Sequence, residues 1–241
     1  MLPTGEENQA AAGATVPGEA PQPRTDFNWS IYADATLAGL SMLIPIPLLD
    51  MLFEDFFRRR MAANIARSRG GSIAPEITAF LNRSEEGCIE GCLLMPFKLV
   101  YELVKRVSKK LLYFLTIKDA ADRISYYWHR AFLVDYALLL GHLNTMELAV
   151  RSKCAMERAL EMTEVSPLWQ FARQLASSSR NIFGSLRLAR RGKTDSTIEQ
   201  KRRQLAEHWG DFAGYLRTLA IRYNQAFSGP CSPNPDARNL W

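Results

Sequence analysis

The chain has 241 residues, with 30 Lys+Arg against 25 Asp+Glu for a formal charge of +5, and 47% hydrophobic and 23% charged residues. These proportions belong to a folded globular chain and exclude a wholly disordered, collagen-like or disulfide-scaffold protein. The charge excess falls well short of a histone-like or ribosomal tail, and the length fits one large domain or two small ones, enough to bury a real core.

Residues 1–28 read as a disordered tail, small and polar, with prolines at Pro3, Pro17, Pro21 and Pro23. The first 25 residues have no apolar h-region, so no secretory signal is expected. The four cysteines, Cys88, Cys92, Cys154 and Cys231, are too few and too scattered for a disulfide framework, which points to a reducing, cytoplasmic setting. Without a secretory route, the acceptor patterns Asn28-Trp29-Ser30 and Asn82-Arg83-Ser84 are chance matches.

From Trp29 the character becomes apolar and helical. Residues 35–53 hold a single charge, Asp50, and come close to the roughly 20 apolar residues that a membrane span needs. Pro45 and Pro47 remove two backbone donors in the middle, so a break is expected there rather than one straight helix. Three arrangements fit: a span, a re-entrant turn at residues 44–47, or two buried core helices joined at that turn. If the segment enters a membrane, the arginines after it (Arg58, Arg59, Arg60, Arg67 and Arg69) put its C-terminal side in the cytoplasm.

Pro47 can open a helix, and Leu49, Leu52, Phe53, Phe56, Phe57, Met61 and Ile65 then recur on one face until Gly70-Gly71 stops it. A short helix follows Pro75. Residues 97–115 combine an apolar side (Phe97, Val100, Tyr101, Val104) with a basic one (Lys98, Lys105, Arg106, Lys109), the composition of an interfacial helix or of a helix covering a core. Thr116 with Asp119 predicts a new helix start, running to about residue 143. Asn144 with Glu147 predicts the next, and Ser166-Pro167 opens another that stops near Gly192. Ser196 with Glu199 opens the last, which ends near Phe227 before a loose tail over 228–241. The expected fold is all-α, a bundle of roughly six or seven helices in a single domain over residues 29–227.

The residues 44–50, Ile-Pro-Ile-Pro-Leu-Leu-Asp, followed by the aromatic-basic helix from Phe53 to Arg60 and the Gly70-Gly71 stop, resemble the pattern of EcsC-like helical bacterial proteins. The resemblance covers residues 35–71. It implies membrane association, and it brings no catalytic residue with it.

Phosphate-loop, dinucleotide-binding, nucleophile-elbow and H-E-x-x-H patterns are absent from the sequence. His129, His142 and His208 lack the Glu-x-x-His spacing of a di-iron bundle, and Cys88 and Cys92 have no second pair to complete a zinc site. No catalytic residue, metal or cofactor is therefore assigned. An enzyme would need a polar pocket in which His129, Asp135 or His142 converge. Gly210/Gly214 and Gly87/Gly91 match a small-xxx-small pattern for close helix approach.

The leading expectation is a non-enzymatic helical protein on the cytoplasmic face of a membrane. Leu43, Ile44, Ile46, Leu48, Leu49, Phe53 and Phe57 would supply the apolar contact. Arg58, Arg59, Arg60, Arg187, Arg190, Arg191, Arg202 and Arg203 would meet anionic head groups. The alternative is a soluble all-α interaction or scaffold protein that buries residues 35–57, its partner another protein or a second copy of itself. Nucleic acid is disfavoured, because no module signature accompanies the basic clusters.

Overall fold

The computed structural model describes residues 21–44, 46, 49–83, 109–162, 166–179 and 182–230, together with the backbone but not the side chains of 109–114. The chain is an all-α helical bundle; among the described residues there is no β-strand.

Helix α1 (Trp29–Leu40) starts where the Asn28 side chain accepts the Ser30 backbone N–H at 3.0 Å. It is buried from Ile31 through Leu40 except for Ala33, so it runs through the core. A 3-10 turn (Ser41–Leu43) ends it, and Ile44 is extended (φ −75, ψ 118) because the following Pro45 disfavours the helical region. α2 (Leu49–Ser68) then runs to Gly70, whose φ of 74 suits a residue without a Cβ. The Gly71 N–H bonds the Ala66 carbonyl and the Gly70 N–H the Arg67 carbonyl, each at 3.0 Å, which closes the helix end as the Gly-Gly pair predicted. α3 (Pro75–Asn82) has its proline at the first helical position.

α4 (Lys109–Leu139) is 31 residues long, about 46 Å. The helix start expected at Thr116 does not exist. Ile117, Ala120, Ala121 and Ile124 are buried in succession, and that packing carries the helix straight through the capping-box residues. The rest of the predicted 97–115 helix lies outside the described residues.

α5 (Met146–Glu161) is capped by Thr145 and α8 (Ser196–His208) by Asp195, in each case one residue from the expected cap. Ser166 caps α6 (Pro167–Ser177) as expected, but that helix ends at Ser177, and α7 (Phe183–Arg190) begins after a break. Likewise a 3-10 turn (Trp209–Phe212) separates α8 from α9 (Ala213–Ser228).

α1 packs on α2 and α4, α4 also packs on α6, and α5 packs on α9. Trp128, Trp209, Tyr32, Phe57 and Tyr223 are the large side chains of the shared core. α1 and α4 touch at Gly39, where even a methyl group would lie 2.6 Å from the Ile124 Cα. Within residues 21–28, Phe27 sits 5.6 Å from Trp209, and the Tyr136 hydroxyl donates to the Pro21 carbonyl at 3.4 Å.

Candidate functional site

The apolar segment divides in two. Its first part, with Ile44, is core, and Phe53 and Phe57 are core as well: both Ile44 and Phe53 are 4% exposed, and Phe57 is fully covered. These three predicted membrane contacts are therefore enclosed by other helices: Phe53 and Phe57 lie on the inward face of α2, and Ile44 closes the 3-10 turn that follows α1. Leu43 and Leu49 are half-buried, and Leu48 lies outside the described residues. What reaches solvent is Ile46 (45%), just before α2, and Met51 (50%) and Leu52 (58%) in its first turn. Among the described residues, no helix is long and apolar enough to cross a membrane.

Beside these exposed residues α2 meets α7 in a notch of about 450 Å³, lined by Leu52, Asp55, Phe56, Arg59, Arg60 and Arg190. Helical spacing explains the α2 part, since positions 52, 55, 56 and 59 recur at three and four. The guanidinium of Arg190 comes from the end of α7 and lies 5.3 Å from the Phe56 ring centre and 5.6 Å from that of Phe53. Arg60 lies over Phe56 as well, at 5.1 Å, so two cations share one aromatic ring.

The arginines differ in how far they are occupied. Arg60 is anchored inward: its Nε donates to Asp34 Oδ1 at 3.0 Å and its Nη2 to the same oxygen at 2.5 Å, while Asn64 donates to Asp34 Oδ2. Arg58 and Arg59 share Asp55, at 2.8 and 2.7 Å. Burial raises the Asp55 pKa, but hydrogen bonds from the two arginines outweigh it and hold the carboxyl below the ordinary range. Arg190 has no carboxylate partner among the described residues.

The remaining predicted head-group residues go elsewhere. Arg187 and Arg191 are exposed near Arg190 in sequence, and Arg202 and Arg203 are exposed on α8. Arg202, 3.4 Å from Glu199, lines a second cavity of about 600 Å³ with Arg24, Asp26, Phe27, Trp29 and Arg69. Arg69 is itself held in a two-pronged contact by Asp135, both bonds 2.7 Å.

The three polar residues considered for a catalytic pocket do not converge. His129 is buried, with Nδ1 2.5 Å from the Ser125 carbonyl and Nε2 2.7 Å from the Tyr215 hydroxyl and 3.1 Å from Ser166 Oγ. The carbonyl requires the proton on Nδ1, which leaves Nε2 as the acceptor. Desolvation pushes the pKa of this imidazole down to about 4, against a smaller upward effect of the Ser125 carbonyl. Asp135 is spent on Arg69, and His142 bonds the Tyr223 hydroxyl at 2.8 Å and stacks on Phe227. Within the Tyr126–His129 aromatic patch, Tyr127 and Trp128 are core, bonded to Glu54 and Thr36.

Lys201 is another buried polar residue; its Nζ donates to Ser178 Oγ at 2.7 Å, and desolvation lowers its pKa. Cys154 is disulfide-bonded, while Cys88, Cys92 and Cys231 lie outside the described residues. Among the described residues, no group of three His, Cys, Asp or Glu side chains could hold a metal ion.

No protein-family model, curated protein or solved structure matches the chain.

Proposed function

We propose that this is a non-enzymatic helical protein that docks peripherally on an anionic membrane surface through the corner where α2 meets α7. The observation that carries this reading is the adjacency of Met51 and Leu52, each at least half exposed, to a notch rimmed by Arg59, Arg60 and Arg190. The contact is shallow, an apolar tip ringed by cations, rather than an inserted segment. Burying the exposed parts of Ile46, Met51 and Leu52 would contribute roughly 1 kcal/mol each, and each arginine near an anionic leaflet about 1 kcal/mol. The EcsC-like resemblance of residues 35–71 points the same way.

Vesicle flotation tests it. The protein is expected to float with vesicles rich in anionic lipid, weakly with zwitterionic ones, and to be released by detergent but only partly by salt. Leu52→Asp, which removes apolar contact without touching the core, is expected to lower the bound fraction severalfold. Recovery of the wild-type chain in the aqueous fraction at every lipid composition would sink the proposal.

A second reading, an interaction or scaffold protein, draws on the burial of Ile44, Phe53 and Phe57 within the bundle. It predicts that the exposed tip of α2 is covered by protein. Its measurement is the oligomeric state by light scattering, compared between the wild-type chain and Leu52→Asp.

A further inference from the structure

Resting on the membrane reading, we infer that the α2–α7 notch is a head-group site for a dianionic phosphomonoester lipid, with Arg190 as its principal contact. Arg58, Arg59, Arg60 and Arg190 sit at this corner, and the carboxylates in their ion pairs are Asp34 and Asp55. Two positive charges are left over, the complement of a phosphomonoester dianion. A phosphodiester head group with one charge would leave one cation unmatched.

The placement of Arg190 adds a geometric reason. Its guanidinium is seated against the rings of Phe53 and Phe56 and meets no carboxylate among the described residues, so its donors remain for a ligand. Packing against the rings restricts the side chain before any ligand arrives, which lowers the ordering cost of binding. A planar guanidinium offers paired N–H donors that match two oxygens of one phosphate, a geometry an ammonium cannot supply. Arg59 lines the same notch and is 71% exposed while sharing Asp55 with Arg58, so it can serve a second oxygen. Arg60, tied to Asp34, fixes the wall instead of binding.

The other side of the notch explains why the occupant is a lipid and not a free phosphate. Leu52 and Phe56 line the cavity and Met51 stands exposed beside Leu52, so an acyl chain leaving the head group meets apolar surface. Of the acids near the notch, Asp55 lines it but is shared by Arg58 and Arg59, and Glu54 is engaged elsewhere, accepting from the Tyr127 hydroxyl and pairing with Arg123.

The test is flotation of the full chain with two vesicle sets matched in zeta potential, one containing phosphatidic acid and one phosphatidylserine. Severalfold stronger retention on phosphatidic acid is expected. Arg190→Gln and Arg190→Lys are both expected to weaken that retention, the former about tenfold, as for loss of a charge-assisted bidentate contact. Arg217→Gln, an exposed arginine on α9, is expected to leave retention unchanged. Arg190→Lys keeps the charge, so full retention by that variant would overturn the guanidinium assignment. Equal retention on both vesicle sets would overturn the phosphomonoester inference while leaving membrane docking intact, and binding to neither would overturn both. Unchanged thermal midpoints of the two Arg190 variants confirm that the fold is intact, as expected for an exposed side chain.

Discussion

Replacing Gly39 by alanine adds one methyl group where α1 crosses α4. That carbon would lie 2.6 Å from both the backbone N and the Cα of Ile124, and closer still to its side chain. Ordinary contact begins near 3.4 Å, so the two helices would have to part by about 0.8 Å. A rotamer change cannot relieve the clash, because two of the three contacting atoms are helix backbone. Overpacking of this kind costs about 1–3 kcal/mol, and a backbone obstacle belongs at the upper end. Alanine regains about 1 kcal/mol through helix propensity, which leaves a net loss of about 2 kcal/mol. For a chain of this size that lowers the melting midpoint by about 4–8 °C. Gly214→Ala in α9 is the matched control: no atom lies within 4 Å of its added methyl, so its midpoint should hold or rise slightly. Calorimetry or circular-dichroism melts of the two variants measure the difference. An unchanged or raised midpoint for Gly39→Ala would show that α1 and α4 do not meet at Gly39.

The buried imidazole of His129 makes stability pH-dependent. Its folded pKa of about 4 lies below the unfolded value of 6.5, so the unfolded chain binds the extra proton first. The contribution is complete above pH 6.5 and falls away towards pH 4, reaching about 3 kcal/mol. Urea midpoints should therefore decline over that window in the wild type and less steeply in His129→Gln; parallel slopes would contradict it. Asp34→Ala removes the partner of Arg60, whose side chain is 33% exposed, and is expected to cost about 3 kcal/mol in urea unfolding, at the lower end for breaking a buried pair. A loss below about 1 kcal/mol would show that the pair is solvated instead. Cys154, being disulfide-bonded, should resist alkylation in denaturant until a reductant is added; peptide mass spectrometry showing it labelled beforehand would disprove the bond.

Local chemistry in the sequence located much of the fold. The Ser166 cap and the stops at Gly70 and Gly192 are short-range effects that involve only a few neighbouring groups. The false start at Thr116 came from the same kind of signal, overridden by burial of Ile117 and Ile124 from distant helices. Residues 35–53 were ambiguous for a physical reason: an apolar helix interior to a bundle and one interior to a bilayer have the same composition. The close helix approach lies at Gly39, while the flagged Gly210 and Gly214 face open space, because a spacing pattern does not say which glycine meets a neighbour. The notch was half visible. Arg59, Arg60 and Arg190 were all named as anion contacts, but the seating of Arg190 on Phe56 joins positions 134 residues apart. The role of Arg60 as an anchor depended on Asp34, whose burial the sequence did not reveal.

That Asp34 contact also governs how α1 is seated in the bundle. α1 is a nearly uniform apolar rod, and such a rod could slide along its neighbours with little change in hydrophobic burial. Asp34 forbids the slide. Displacement by one helical turn, about 5.4 Å, would carry the carboxylate away from Arg60 and Asn64 while leaving it covered, at a cost of several kcal/mol for an isolated buried charge. A single acidic residue thus sets the register of a helix that apolar packing alone would leave free to choose. The same register keeps Gly39 opposite Ile124, so one polar contact and one missing methyl group specify the same alignment from two sides of the helix.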